Sequence, residues 1–96
     1  MKYIGKYTDN DRLVLIDIII RNNHLDYLQD FLSDTLDSFA SYKKEKKIEV
    51  MTHFLMLLPD HIIAEIYSFG LGEDGVRITI YEFIEENIEN LNRIFN

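Results

Sequence analysis

The residues most open to a chemical reading are the glycines of GLGEDG, Gly70 to Gly75, whose G-x-G-x-x-G spacing is the one by which a turn cradles a dinucleotide pyrophosphate. That chemistry needs a buried strand before the glycines, a βαβ unit of about 30 residues, helix N–H groups facing the phosphates and an acidic residue about 20 positions on. Only 21 of the 96 residues follow Gly75, and Glu73 and Asp74 set two carboxylates where an anion would sit. The stretch reads instead as a chain reversal. Gly70 is expected in the left-handed conformation that closes a helix, and Gly72 and Gly75 as turn residues.

Other candidate chemistry is sparser. His24, His53 and His61 lack the H-E-x-x-H spacing of a zinc helix, and no Glu-x-x-His pair suggests a di-iron carboxylate bundle. Glu49 and His53 lie one helical turn apart without a recognisable third ligand, so they read as a surface contact. The serines at 33, 38, 41 and 68 have no nucleophile elbow around them, and neither a phosphate-binding loop nor a calcium loop is spelled out. With no cysteine, thiolate metal sites, thiol chemistry and disulfides are excluded. No cofactor, metal or catalytic constellation is expected, and the chain reads as non-enzymatic.

What remains is charge. The net charge is -7, and it is unevenly placed: residues 1–50 carry eight Lys/Arg against nine Asp/Glu, residues 51–96 two against eight. A field of that sign repels nucleic acid and anionic membranes and favours encounter with basic protein surfaces. The basic run KKEKK, Lys43 to Lys47, reads as a solvated connection between two helices. The N-terminus lacks the apolar core of a signal peptide, and the longest apolar run, LVLIDIII, falls short of the roughly 20 residues that span a bilayer. A cytoplasmic protein is the default expectation.

The acids must be held by elements, and two amphipathic helices do this. In NHLDYLQDFLSDTLDSFASY, Asn23 is the expected N-cap with Asp26 at the third helical position, and Leu25, Leu28, Phe31, Leu32, Leu36 and Phe39 share one face. Asp26, Asp30, Asp34 and Asp37 gather within about 80° on the opposite face. In TIYEFIEENIENLNRIF, Thr79 and Glu82 have capping-box spacing, with Ile78 and Phe83 as the hydrophobic staple, so a helix is expected from about Ile80. Its buried face is Ile80, Phe83, Ile84, Ile88, Leu91 and Phe95, and Glu82, Glu85, Glu86 and Glu89 lie opposite.

Between them, KIEVMTHFLMLL is apolar almost all round the helical wheel, which exceeds what a four-helix bundle needs on one face and suggests a homodimer. Pro59 marks a break before a shorter helix, DHIIAEIYSF. The β-branched run RLVLIDIII suits a helix capped at Thr8 or Asp9, or a strand paired with KYIGKY; VRITIY also alternates like a strand. The expected fold is mostly α, a single small domain of about four helices, with an α+β fold carrying an N-terminal hairpin as the alternative. The expected function is binding of a basic partner protein through Asp26, Asp30, Asp34, Asp37, Glu82, Glu85, Glu86 and Glu89, to inhibit or regulate a nucleic-acid-binding protein or nuclease. The alternative is a homo-oligomeric helical module without acidic recognition. The four aspartates would supply one charge per about 5.5 Å of helix, against one per about 3.4 Å along a DNA strand, so imitation of nucleic acid would need both helices side by side.

Overall fold

A computed structural model of the chain describes residues 6–23, 25–32, 36 and 38–95, apart from the side chains of residues 25 and 26. The described residues are helical with no strand: α1 Asp9–Asn22, α2 Leu25–Leu32, a 3-10 turn Phe39–Ser41, α3 Lys44–Met56, α4 Asp60–Phe69, α5 Asp74–Glu86 and α6 Ile88–Phe95. The mostly α expectation holds, with six α-helices among the described residues rather than about four. The hairpin alternative fails at RLVLIDIII, which is helical, and VRITIY lies inside α5; most of KYIGKY lies outside the described residues.

A complete capping box decides the first helix. Thr8 Oγ1 accepts the Asp11 N–H and the Asp11 carboxylate accepts the Thr8 N–H, each at 3.1 Å. Two otherwise orphaned donors are thereby satisfied, and a β-branched run that would also suit a strand is committed to helix. Leu15, Ile16 and Ile19 enter the core against α3 and α4.

α3 packs chiefly against α1. Val50, Met51, Phe54, Leu55 and Leu58 are buried, and Met56 and Leu57 pack partly buried against them. The apolar excess that suggested a homodimer is therefore covered largely within the chain. KKEKK is not a connection: Lys43 is the N-cap of α3, and Lys44, Glu45, Lys46 and Lys47 form its first turn. Their cost against the helix dipole is offset by aromatic faces, with Lys46 Nζ 5.8 Å from the Tyr42 ring and Lys47 Nζ 5.8 Å from the Phe39 ring.

Arg12 ties three elements together. From α1 it pairs with Asp60 at the first position of α4 and donates to the carbonyls of Met56, at 2.6 Å, and Leu58, which close α3. Asp60 also accepts the Tyr7 N–H at 2.9 Å. The backbone hydrogen bond from Tyr7 holds the Asp60 carboxyl below its ordinary value, and the Arg12 guanidinium acts in the same direction against the opposing effect of burial. The planar fork of arginine suits this task, since it serves a carboxylate and two carbonyls at once. Pro59 is the N-cap of α4, as its position in the sequence implies.

Asn23 takes a different role from the expected N-cap of α2. It closes α1, donating from Nδ2 to the Ile19 carbonyl at 2.8 Å and accepting the Leu71 N–H on Oδ1 at 3.0 Å. It thus fastens the α4–α5 loop to the end of α1. α2 itself spans eight residues and not the whole amphipathic stretch; Leu36 is outside any helix, and Phe39 opens the 3-10 turn, though both are buried.

Candidate functional site

The seam between α2 and α5 brings acidic residues from distant parts of the sequence together. Arg77 of α5 lies over Phe31, Tyr27 and Tyr81, its guanidinium 5.0, 5.6 and 6.0 Å from their ring centroids. Phe31 and Tyr81 meet edge to face at 4.9 Å. Residues 77 and 81 follow residues 27 and 31 in the same order, so the two helices run alongside each other. Asp30 lies on this seam and faces Arg77 at 3.7 Å, with the carboxylate 59% exposed.

Glu82 and Glu85 stand on the solvent side of α5, together with Ile78, 59% exposed, and Tyr81, 41% exposed. At 100° per residue these four share one face, so the surface is mixed apolar and acidic rather than purely charged. Glu86 is exposed at the end of α5 and Glu89 in the first turn of α6. Between them Asn87 breaks the helix. Its N–H reaches the carbonyls of Phe83 and Ile84 at 3.1 and 3.2 Å, and its Nδ2 donates to Phe83 O at 2.9 Å. A side-chain amide competing for that carbonyl ends the ladder. Glu85, Glu86 and Glu89 then border a shallow hollow of about 270 Å³ around the break.

Of the eight acids expected to bind a partner, Asp30, Glu82, Glu85, Glu86 and Glu89 are exposed on neighbouring helices. Asp26 lies in α2 without a described side chain, and Asp34 and Asp37 lie outside the described residues, so the α2 stripe is represented by Asp30. Sequence reasoning missed Arg77, Ile78, Tyr81 and Ile94. The first had a signal, as one of only two cations in residues 51–96; Ile78 and Tyr81 had one in their spacing with Glu82 and Glu85 at i, i+3, i+4 and i+7.

The expected capping box of the last helix is also corrected. α5 begins at Asp74, capped by Glu73, whose Oε2 accepts the Val76 N–H at 2.9 Å; Thr79 lies inside the helix and donates to Gly75 O at 2.9 Å. Ile78 points to solvent and staples nothing. In GLGEDG, Gly70 closes α4 with φ 88° and ψ 160°, an extended positive-φ geometry rather than the left-handed helical one, and its N–H reaches Ile66 O at 2.8 Å. Gly72 sits beneath Tyr27, where a Cβ would come within 2.9 Å of the hydroxyl. Gly75 is inside α5, not in a turn.

His53 rests edge to face on Phe95 at 5.2 Å and is exposed beside Glu49. Among the described residues, no group of three or more His, Cys, Asp or Glu could hold a metal ion, and no helix is long and apolar enough to cross a membrane. Comparison with protein-family models, with curated proteins and with solved structures finds no match to this chain.

Proposed function

We propose that this chain is a non-enzymatic binding protein that occupies a basic surface on another protein and thereby inhibits or regulates it. One observation carries the reading: α2 and α5 pack side by side, so Asp30 adjoins the helix that exposes Glu82, Glu85 and Glu86, and Glu89 follows directly on α6. The exposed Ile78 and Tyr81 among these acids supply the apolar contact area that a protein partner, unlike a free polycation, would cover. The basic groove of a nucleic-acid-binding protein or nuclease has the complementary charge, and an inhibitor, antitoxin, immunity protein or phage counter-defence factor acts in this manner. The Asp30–Arg77 pair lowers the charge density of the seam, which favours recognition of a contoured protein surface over imitation of a regular phosphate ladder.

Affinity capture from a native host lysate at low and high salt tests the reading. A basic protein retained at about 0.1 M salt and released near 1 M is the expected result, since the Debye length falls from about 10 to about 3 Å. Retention indifferent to salt would overturn it. Self-association remains a second reading, favoured by Leu13 and Val14, 46% and 49% exposed side by side on α1. Sedimentation at tens of micromolar decides it: a dimer dissociated by Leu13→Lys supports it, and a monomer removes it.

A further inference from the structure

The corner where α5 meets α6 holds a cavity as well as charge. Leu57, Phe83, Leu91 and Ile94 wall a space of about 300 Å³, with Asn90 and Arg93 also lining it. Leu91 is buried, Leu57 and Phe83 are half-buried, and Ile94 is 45% exposed. A closed apolar cavity of about 150 Å³ accepts a benzene ring, so this open one has room for one aliphatic or aromatic side chain. Asn90 and Asn87 belong equally to the adjoining hollow bordered by Glu85, Glu86 and Glu89. Apolar cavity and carboxylate cluster therefore share a wall.

We propose that this corner seats one apolar anchor side chain from a short basic segment of the partner, with the flanking Lys or Arg residues paired to Glu86 and Glu89. The inference rests on the acidic-binder reading above and specifies the partner: a large apolar residue with cations on either side. Desolvated apolar anchors ringed by polar contacts dominate binding energy in protein interfaces, and here the two parts lie on adjacent turns. Arg93 is the cation lining the cavity, against three carboxylates next door, so the local field favours a cationic occupant over a small apolar anion. Arg93 then opposes the segment it borders, and removing its charge strengthens binding.

The test uses the full chain, labelled with nitrogen-15, and two synthetic heptapeptides: a central phenylalanine flanked by two lysines on each side between glycines, and its alanine counterpart. The phenylalanine peptide is expected to bind at least about tenfold more tightly, as burial of an aromatic side chain implies, and to shift the amide signals of Asn87, Asn90, Leu91 and Ile94. Ile94→Ser, which removes an exposed wall without emptying the core, brings the two affinities together, and Arg93→Ala tightens both. Equal affinity of both peptides for the unaltered chain, with binding still weakened by salt, overturns the anchor and leaves the acidic reading standing. Binding of neither peptide at millimolar concentration overturns the anchor, while the salt dependence of the captured partner judges the acidic reading separately. Hydrocinnamate serves as the anionic probe. If it binds more tightly than the phenylalanine peptide and loses that affinity in Arg93→Ala, the cavity is a small-anion site and the proposal fails.

Discussion

Arg12 and Asp60 show how much of the fold rests on single side chains. Both are largely buried, with 12% and 19% of their side chains exposed; Arg12 serves groups on α4 and at the end of α3, and Asp60 serves Arg12 and the backbone before α1. Arg12→Ala leaves a carboxylate and two carbonyls short of a donor, and is expected to cost about 3 kcal/mol in denaturant unfolding, at the lower end for a broken buried pair because some water reaches the site. Asp60 titrates below its ordinary value of 3.8, so its contribution to stability is complete above that pH and is lost as the pH falls through its lowered value. Asp60→Asn should therefore be less stable than the unaltered chain near neutrality, with the difference shrinking in acid; a constant difference across that range would refute the assignment. Gly70 supplies a second test at this scale. At φ 88° and ψ 160° it occupies a region open essentially to glycine alone, and a Cβ there would meet only Asn23 Oδ1 at an ordinary 3.5 Å. Gly70→Ala is thus expected to cost about 1–3 kcal/mol through backbone strain and not through a clash. An unchanged melting midpoint would show that the loop relaxes freely.

At the scale of elements, periodicity reports which face of a helix is buried more faithfully than where the helix starts or stops. Ile80, Ile84 and Leu91 are buried as their spacing implies, yet that same spacing runs through Asn87 without a gap, so the division into α5 and α6 left no mark on the apolar pattern. Thr79 and Glu82 matched a capping box because the motif constrains only two positions. Glu73, six residues before the expected cap at Thr79, caps the helix instead and lets the buried Val76 join the core face. For RLVLIDIII the local pattern was ambiguous, and only the Thr8–Asp11 exchange of hydrogen bonds commits it to helix. Asn23 could not be read correctly from the sequence, since its partner Leu71 lies 48 positions away. Of the candidate surface, the glutamates were legible because solvent exposure follows from helical spacing; Arg77 stood out only as a rare cation, and its place on the seam was not legible, since its three aromatic partners come from two helices. These two assignments of the α5 start differ measurably: Glu73→Ala should cost about 1 kcal/mol as the loss of a cap, while Thr79→Ala stays within about 0.5 kcal/mol. The reverse order of the two values in thermal or urea unfolding would restore the start near Ile80.

At the scale of the whole molecule, charge and stability are carried by different residues, which makes the proposed function separable from the fold. The pairs holding elements together, Arg12–Asp60 and Arg77 on the rings of Tyr27, Phe31 and Tyr81, lie in or beside the core. Glu82, Glu85, Glu86 and Glu89 are exposed and take no part in these structural contacts. Exposed charges contribute little to stability, whereas clustered charge of one sign accelerates encounter with a surface of the other. Replacing Glu85 and Glu89 together by Gln removes two of the -7 charges and should leave the melting midpoint within about 1 °C, given that a change of 1 kcal/mol shifts a domain of this size by about 4–8 °C. The same double substitution should slow association with the captured basic partner by about threefold to tenfold at low salt, with a smaller change in dissociation. At about 1 M salt, where the Debye length is near 3 Å, the two proteins should associate at nearly the same rate. Stopped-flow or surface-based kinetics across that salt range reads both effects. A double variant that associates as fast as the unaltered chain at every salt concentration assigns these glutamates to hydration alone, and recognition then belongs to the apolar residues Ile78, Tyr81 and Ile94 that stand among them.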